Sequence, residues 1–256
     1  GLTLANVLGV PGGTWIGLQF GWHMTFLTVA AFGLIALLFI TTVIASQGHD
    51  SAKDVRAQLA AFKNPMLLIS LAITVFAWSG FMSLYGYLAP IATHVTGYGE
   101  NAVTWILVVV GIGLIVGNTL GGRSSDKNLQ KASLFWALAM IGSLVLVGLT
   151  VDSKLMFIAA AFIFGVASFA NVPAMQLRVM NHGGEGQELA ATANISAFNL
   201  ANAFGGFLGG MVLDSHIGAD MIPYAALIVP VIGVLFIVNA NRRENQFATP
   251  ANRLCR

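Results

Sequence analysis

Three amides on one apolar stretch, Asn194, Asn199 and Asn202, have the types and spacing to do chemistry. At about 100° per helical residue they fall within one arc of roughly 140°. Gly205, Gly206, Gly209 and Gly210 share nearly the same arc, while Leu200, Phe204, Phe207 and Leu208 gather opposite. Ile195 and Phe198 interrupt the polar stripe. An amide among hydrocarbon needs a partner, which another helix or the water of a cavity supplies. The chemistry open to this face is therefore recognition by neutral hydrogen bonds, or structural bonding between helices. Asn171 and Gln176, either side of Pro173, are candidates for the same interior.

The stretch FAWSGFMSLYGYLAP adds Trp78, Ser79, Ser83, Tyr85 and Tyr87 to an otherwise apolar run. Gly80, Gly86 and Pro90 weaken its helicity. Such a helix lines a cavity and binds an amphipathic solute by stacking and hydroxyl contacts, or it carries interfacial tyrosines and interhelical bonds.

Acid–base chemistry is poorly provided for. Every Asp and Glu lies in a polar break or at the end of an apolar run, so no carboxylate is set for an intramembrane proton relay. His23, His49, His94, His182 and His216 sit near the same breaks and read as solvated loop residues rather than a metal site. No HExxH, GxSxG or paired intramembrane carboxylates appear, so a hydrolase site is not expected and no cofactor is implied.

Two glycine patterns concern mechanics. Gly113, Gly117 and Gly121 stack on one helical face and admit a neighbouring helix to backbone contact. The polar turn Arg123 to Lys131 follows, holding Arg123, Asp126, Lys127 and Lys131, and Gly122 precedes it. In GVPGGTWIG, Gly9, Gly13 and Gly17 share a face with Pro11 and Gly12 between them. That pattern is a flexible kink or ordinary close packing.

The elements that position these residues are set by hydropathy. Of 256 residues 57% are hydrophobic and 9% charged, with mean hydropathy +0.80. A soluble domain carries about 25% charged residues. The chain is all-α and a polytopic membrane protein, because only helices satisfy the backbone along such runs in lipid. The spans fall at residues 2–20, 24–45, 65–93, 102–121, 132–151, 155–179, 188–213 and 221–240. Eleven of the twelve Lys and Arg residues occupy alternate breaks, and Lys154 alone occupies the other set. This predicts a cytoplasmic linker, Arg123 turn and C-terminus. Residues 47–64 read as that linker, with SAKDVRAQLAAFKNP as a surface amphipathic helix. Residues 1–46 supply two helices, residues 65–240 a six-helix bundle and residues 241–256 a tail. One cysteine, Cys255, forms no disulfide framework, and a net charge of +2 gives no reason to expect nucleic acid. Gly1 lies inside an apolar run with no charged region before it, so the sequence reads as a piece that starts partway through a helix.

GNTLGGRSSDK resembles the cytoplasmic signature of the major facilitator superfamily in its second-half copy, with Gly122, Arg123 and Asp126 at the expected positions. Asn128, Leu129 and Gln130 replace most of its usual ending. GVPGG resembles the helix-five signature of the proton-antiporting drug-efflux branch. YLAPIATHVTG, VPAMQLRVM and ATANISAFNLANAFGGFLGG are similar to arabinose-efflux-permease-like members. The resemblance implies a twelve-helix fold whose helices five to twelve are these eight. It implies proton-coupled efflux of small amphipathic molecules or sugars across the inner membrane by a protein that is monomeric when complete. The alternatives are a sugar-type uptake facilitator or symporter, or a truncated membrane protein without transport. It further implies that Arg123 and Asp126 hold the cytoplasmic ends together and that Pro11 and its glycines form the seam between halves. Trp78, Tyr85, Asn171, Asn194 and Asn199 would then face the central cavity.

Overall fold

The computed structural model describes residues 5–43, 55–215 and 217–247. All regular elements among them are helical. A π turn at Ala5–Gly9 leads into α1 (Val10–Phe20), and α2 (Trp22–Val43) folds back along it. The short α3 (Val55–Ala60) precedes α4 (Pro65–Tyr85), and α5 (Leu88–Pro90) continues into a π turn at Ile91–Val95. Then come α6 (Glu100–Lys127), α7 (Leu129–Leu149), α8 (Lys154–His182), α9 (Gln187–Asp214), α10 (Ile222–Ala225) and α11 (Ile228–Phe247). Seven of the described helices are long and apolar enough to cross a membrane. The expected first span falls short of that length among the described residues, as a five-residue π turn and an eleven-residue helix.

Local chemistry corrects several expected boundaries. The span 65–93 is not continuous: α4 ends at Tyr85, and Gly86 and Tyr87 turn the chain before α5. The polar turn expected from Arg123 to Lys131 shrinks to Asn128. Its extended backbone ends α6, and its side-chain oxygen accepts from the Lys131 amide 3.0 Å away to start α7. An Asn serves here because its short oxygen reaches the free amides of a first turn. Asn64 does the same for α4, accepting from the Met66 amide at 2.9 Å with Pro65 behind it. The tail expected from Asn241 is helical to Phe247. The linker stretch before Val55, the tail beyond Phe247, His49, His216 and Cys255 lie outside the described residues.

The bundle is built on α4, α6, α8 and α9, with α7 and α11 closing it. The glycine face of α6 meets α8 as its spacing predicts. A Cβ on Gly113 would lie 2.6 Å from the Phe162 carbonyl oxygen, and one on Gly117 or Gly121 would run into the carbonyl of Val166 or Ala170. Gly165 answers from α8 against Val110. A second close approach joins α4 to α11, where Gly80 meets Pro230 and Gly233 meets Ala77. Around these seams Leu84, Leu114, Leu144, Phe157 and Phe164 are fully buried.

A candidate solute site and a charged helix-end cluster

Two polar regions stand apart in the bundle. The first lies within the apolar layer and carries no charge. Thr74 Oγ1 of α4 donates to Asn194 Oδ1 of α9 at 2.7 Å, and Asn194 Nδ2 donates to Gln176 Oε1 of α8 at 2.7 Å. One chain of neutral bonds thus ties three helices, and Thr74 and Asn194 are buried in it. A helical step further, Trp78 Nε1 donates to Asn202 Oδ1 at 2.9 Å. The Trp78 ring, 5% exposed, stacks on Phe81 at 4.6 Å and meets Phe169 and Phe198 edge-on at 5.5 and 5.2 Å. Phe81 in turn stacks on Tyr85 at 4.9 Å and on Phe164 at 5.8 Å. The buried hydroxyls of Tyr85 and Ser168 have no hydrogen-bond partner among the described residues.

The amide arc of α9 divides when the helix packs. Asn194 turns into the bundle with Ala197, Ala201 and Gly205, Asn202 lies at its margin, and Asn199 is exposed. Asn199 bonds within its own helix, donating to the Ile195 carbonyl at 3.1 Å. Thr192, Ser196 and Ala203 share its exposed face, flanked by the exposed Ile195 on one side and by Leu200, Phe204 and Phe207 on the other. The same helix therefore shows a polar, small-residue stripe beside an oily one.

Other expected cavity residues are committed to packing. Ser79 and Ser83 donate to the carbonyls of Phe76 and Ser79 on their own helix, at 3.0 and 3.1 Å, beside Gly205. Tyr87 lays its ring against Gly209 and donates to the Gly206 carbonyl at 2.6 Å. Asn171 faces α7, donating to the Trp136 carbonyl at 2.9 Å and to the Ala167 carbonyl at 3.0 Å. Sequence reasoning overlooked Thr74, Phe81, Phe164, Phe169, Thr192 and Ser196, and read Phe198 only as a break in the polar stripe. Two signals were available: Trp78, Phe81 and Tyr85 at i, i+3, i+7, and Thr192, Ser196 and Asn199 at i, i+4, i+7.

At the N-terminal seam, Pro11 is the one buried residue of α1, and the π turn sits directly before it. Proline lacks the amide that would continue a regular ladder, and a π turn absorbs the mismatch. Gly13 and Gly17 face Thr25 of α2, whose hydroxyl donates to the Gly13 carbonyl at 3.1 Å. Gly9 and Gly12 have open space where a side chain would be. The helix packs on α6 as well as α2.

The second polar region is charged and sits at the end of the bundle that gathers Lys63, Arg123, Lys127, Lys131, Arg178, Arg242 and Arg243. Arg178, at the end of the expected span 155–179 and counted with the basic residues of the breaks, is 1% exposed. Its Nη1 donates to Glu244 Oε1 at 2.9 Å and its Nη2 to Asn241 Oδ1 at 2.6 Å. Gln130 Nε2 donates to Glu244 Oε2 at 2.8 Å, and Asn241 Nδ2 donates to the Gln130 carbonyl at 3.2 Å. These bonds join α7, α8 and α11. His182, expected to be solvated, is instead partly buried in this cluster, and Asn64 Nδ2 donates to its carbonyl at 3.0 Å. By contrast Arg123 and Asp126 are exposed on the last turns of α6, with no hydrogen bond or ion pair to another described residue. Gly122 has open space beside it. A cleft of about 780 Å³ opens here between Asp126, Gln130, Asn181, His182 and Glu244.

Helices of this length and hydropathy, with a neutral hydrogen-bonding interior and charges near helix ends among the described residues, suit a bundle embedded in a membrane. The comparisons agree. The sequence is 32% identical over 252 residues to the inner membrane transport protein YdhP of Escherichia coli O157:H7, across 98% of this chain and 65% of that protein. It is 29% identical over 227 residues to a chloramphenicol resistance protein of Streptomyces lividans, across 85% of this chain and 57% of that one. It is 26% identical over 242 residues to a probable sugar efflux transporter of Mannheimia succiniciproducens, across 93% and 60%. The chain thus spans about two thirds, or less, of the length of these relatives. The profile of the Major Facilitator Superfamily matches residues 1–210 and 83–253. This chain belongs to the Major Facilitator Superfamily, a family of membrane transporters.

Proposed function

We propose that the chain contributes to a proton-driven exporter of small amphipathic molecules or sugars, working by alternating access. In this reading residues 1–46 are the fifth and sixth of twelve helices, residues 47–64 are the link between halves, and residues 65–240 are the second six-helix half. The observation that carries the proposal is the exposed polar stripe Thr192, Ser196 and Asn199 on α9, which runs between exposed Ile195 and the oily face of the same helix. Small polar groups face lipid at a cost, so this stripe suits a water-filled path between halves. Asn202 lies beside it on α9 and bonds Trp78, which stacks on Phe81, so neutral hydrogen bonding and an aromatic cluster adjoin its edge. The relatives named for chloramphenicol resistance and sugar efflux favour export.

The coupling proton has no carboxylate to ride on in the apolar middle of the described spans, so in this proposal its carrier lies on helices outside this sequence. The seam between halves is the Pro11 segment, and the exposed Arg123 and Asp126 latch to the opposite half in one state of the cycle. The basic end faces the cytoplasm and the protein acts as a monomer. The test is efflux by cells expressing the protein, with labelled chloramphenicol and labelled sugars as probes. Replacing Asn199 and Asn202 by leucine should abolish transport of the accepted probe while the protein remains folded in the membrane. Undiminished efflux by that variant would reject the cavity.

A further inference from the structure

Two oily faces of the bundle run out at unpaired cations. On α6, Val116 and Leu120 are exposed, and Arg123 and Lys127 continue the same face at i+7 and i+11 from Val116. On α7, Lys131, Phe135 and Leu138 form one exposed face at i, i+4 and i+7. The two faces meet at this corner. Only Asn128 separates the helices, and Trp136 Nε1 of α7 donates to Ser124 Oγ of α6 at 2.8 Å. The side chains of Arg123, Lys127 and Lys131 are exposed, and none forms a hydrogen bond or ion pair with a described residue. Arg123 and Lys127 stand one helical turn apart, where like charges repel. The nearby carboxylates do not relieve them. Asp126 is turned about 100° from Lys127 around α6, and both oxygens of Glu244 are held by Arg178 and Gln130.

We propose that this corner of α6 and α7 binds the headgroup of an anionic phospholipid, with Lys127 and Lys131 as its principal contacts and Arg123 beside them. A lysine stem can lie along apolar surface while its ammonium reaches the headgroup level. A phosphate there accepts charge-assisted bonds from cations that have no other partner. The apolar faces decide the kind of ligand. Val116, Leu120, Phe135 and Leu138 offer acyl chains a surface directly beside the charges, whereas a soluble phosphate gains from the charges alone. A zwitterionic lipid brings its own cation to the cluster, so a lipid with net negative charge is favoured. The site requires only that these helices lie in a bilayer. It rests on Lys127 and Lys131, so it stands apart from the export reading and from any latch made by Arg123.

The test places the purified protein in phosphatidylcholine bilayers containing lipids brominated on their acyl chains, which quench a tryptophan they touch. Trp136 is the reporter at this corner, and the quenching lost in Trp136→Phe is its share. Brominated phosphatidylglycerol should be preferred over brominated phosphatidylcholine there by about fivefold or more, the gain that one lysine near an anionic membrane surface supplies. Combining Lys127→Gln with Lys131→Gln keeps the stems, removes the charges and should bring the preference to parity. Lys63→Gln, at an exposed cation before α4, should leave it unchanged, as should excess inorganic phosphate. Counting bound phosphatidylglycerol by native mass spectrometry makes the same comparison with Trp136 in place. A preference that survives the double substitution, or that falls as far with Lys63→Gln, overturns the site. Displacement of the lipid by inorganic phosphate overturns the choice of a lipid as its ligand.

Discussion

The bundle solves the burial of polar groups in two ways, and the contrast is instructive. Within the apolar layer, Thr74, Asn194 and Gln176 form a chain of neutral bonds. At the basic end, Arg178 and Glu244 form an ion pair braced by Asn241 and Gln130. A neutral amide exchanges one set of hydrogen bonds for another and loses little when its partners are good. A charge does not, so it is placed near a helix end with acceptors on Nη1 and Nη2, although the buried Nε of Arg178 has no partner among the described residues. The interior network can therefore be loosened or rewired at small cost, whereas the end cluster fails as a unit.

Substitutions can break or sharpen that contrast. The largest effect is expected from Glu244→Ala, which leaves the 1%-exposed Arg178 without its counter-ion. Its cost should be about 3–5 kcal/mol, read as a lowered unfolding midpoint in a denaturant titration of the detergent-solubilised protein. Next comes Gly121→Ala, whose new methyl meets the backbone of Ala170; overpacking of this kind costs about 1–3 kcal/mol. Gly122→Ala, one residue along with open space beside it, should be neutral or slightly stabilising in the same titration. Asn194→Leu removes the centre of the interior chain. It should cost only about 1 kcal/mol, since hydrogen bonds between membrane helices are individually weak. A loss as large as that of Glu244→Ala would erase the distinction between the two regions. The smallest effect belongs to Asp126→Asn, exposed and unpaired, which should change the unfolding free energy by less than about 0.5 kcal/mol.

The sequence made the spans legible because hydropathy alone separates a bilayer-crossing run from its ends. The glycine face of α6 was legible too, since a four-residue repeat of Gly has one geometrical consequence. What it left open was the partner, and α8 supplies it through Phe162, Val166 and Ala170. The polar run Asn241 to Glu244 read as a tail because its composition suits water. It continues α11 because tertiary partners on α7 and α8 satisfy it. Arg178 was hidden for the same reason: sequence shows a charge but not its counter-ion. The amides of α9 show a subtler limit. An arc of roughly 140° is wide enough for one end to enter the core and the other to leave it, as Asn194 and Asn199 do.

The glycine seam between α6 and α8 also has a mechanical meaning. Three backbone carbonyls of α8 sit over three glycines of α6 like teeth over notches. The notches repeat every four residues, about 6 Å along the axis. Between two such positions the teeth would strike the side chains that separate the glycines. The seam thus acts as a detent and not a bearing: it resists sliding in small increments, and the two helices must travel as one piece. Any rocking of this bundle would have to find its slack at other helix contacts than this one.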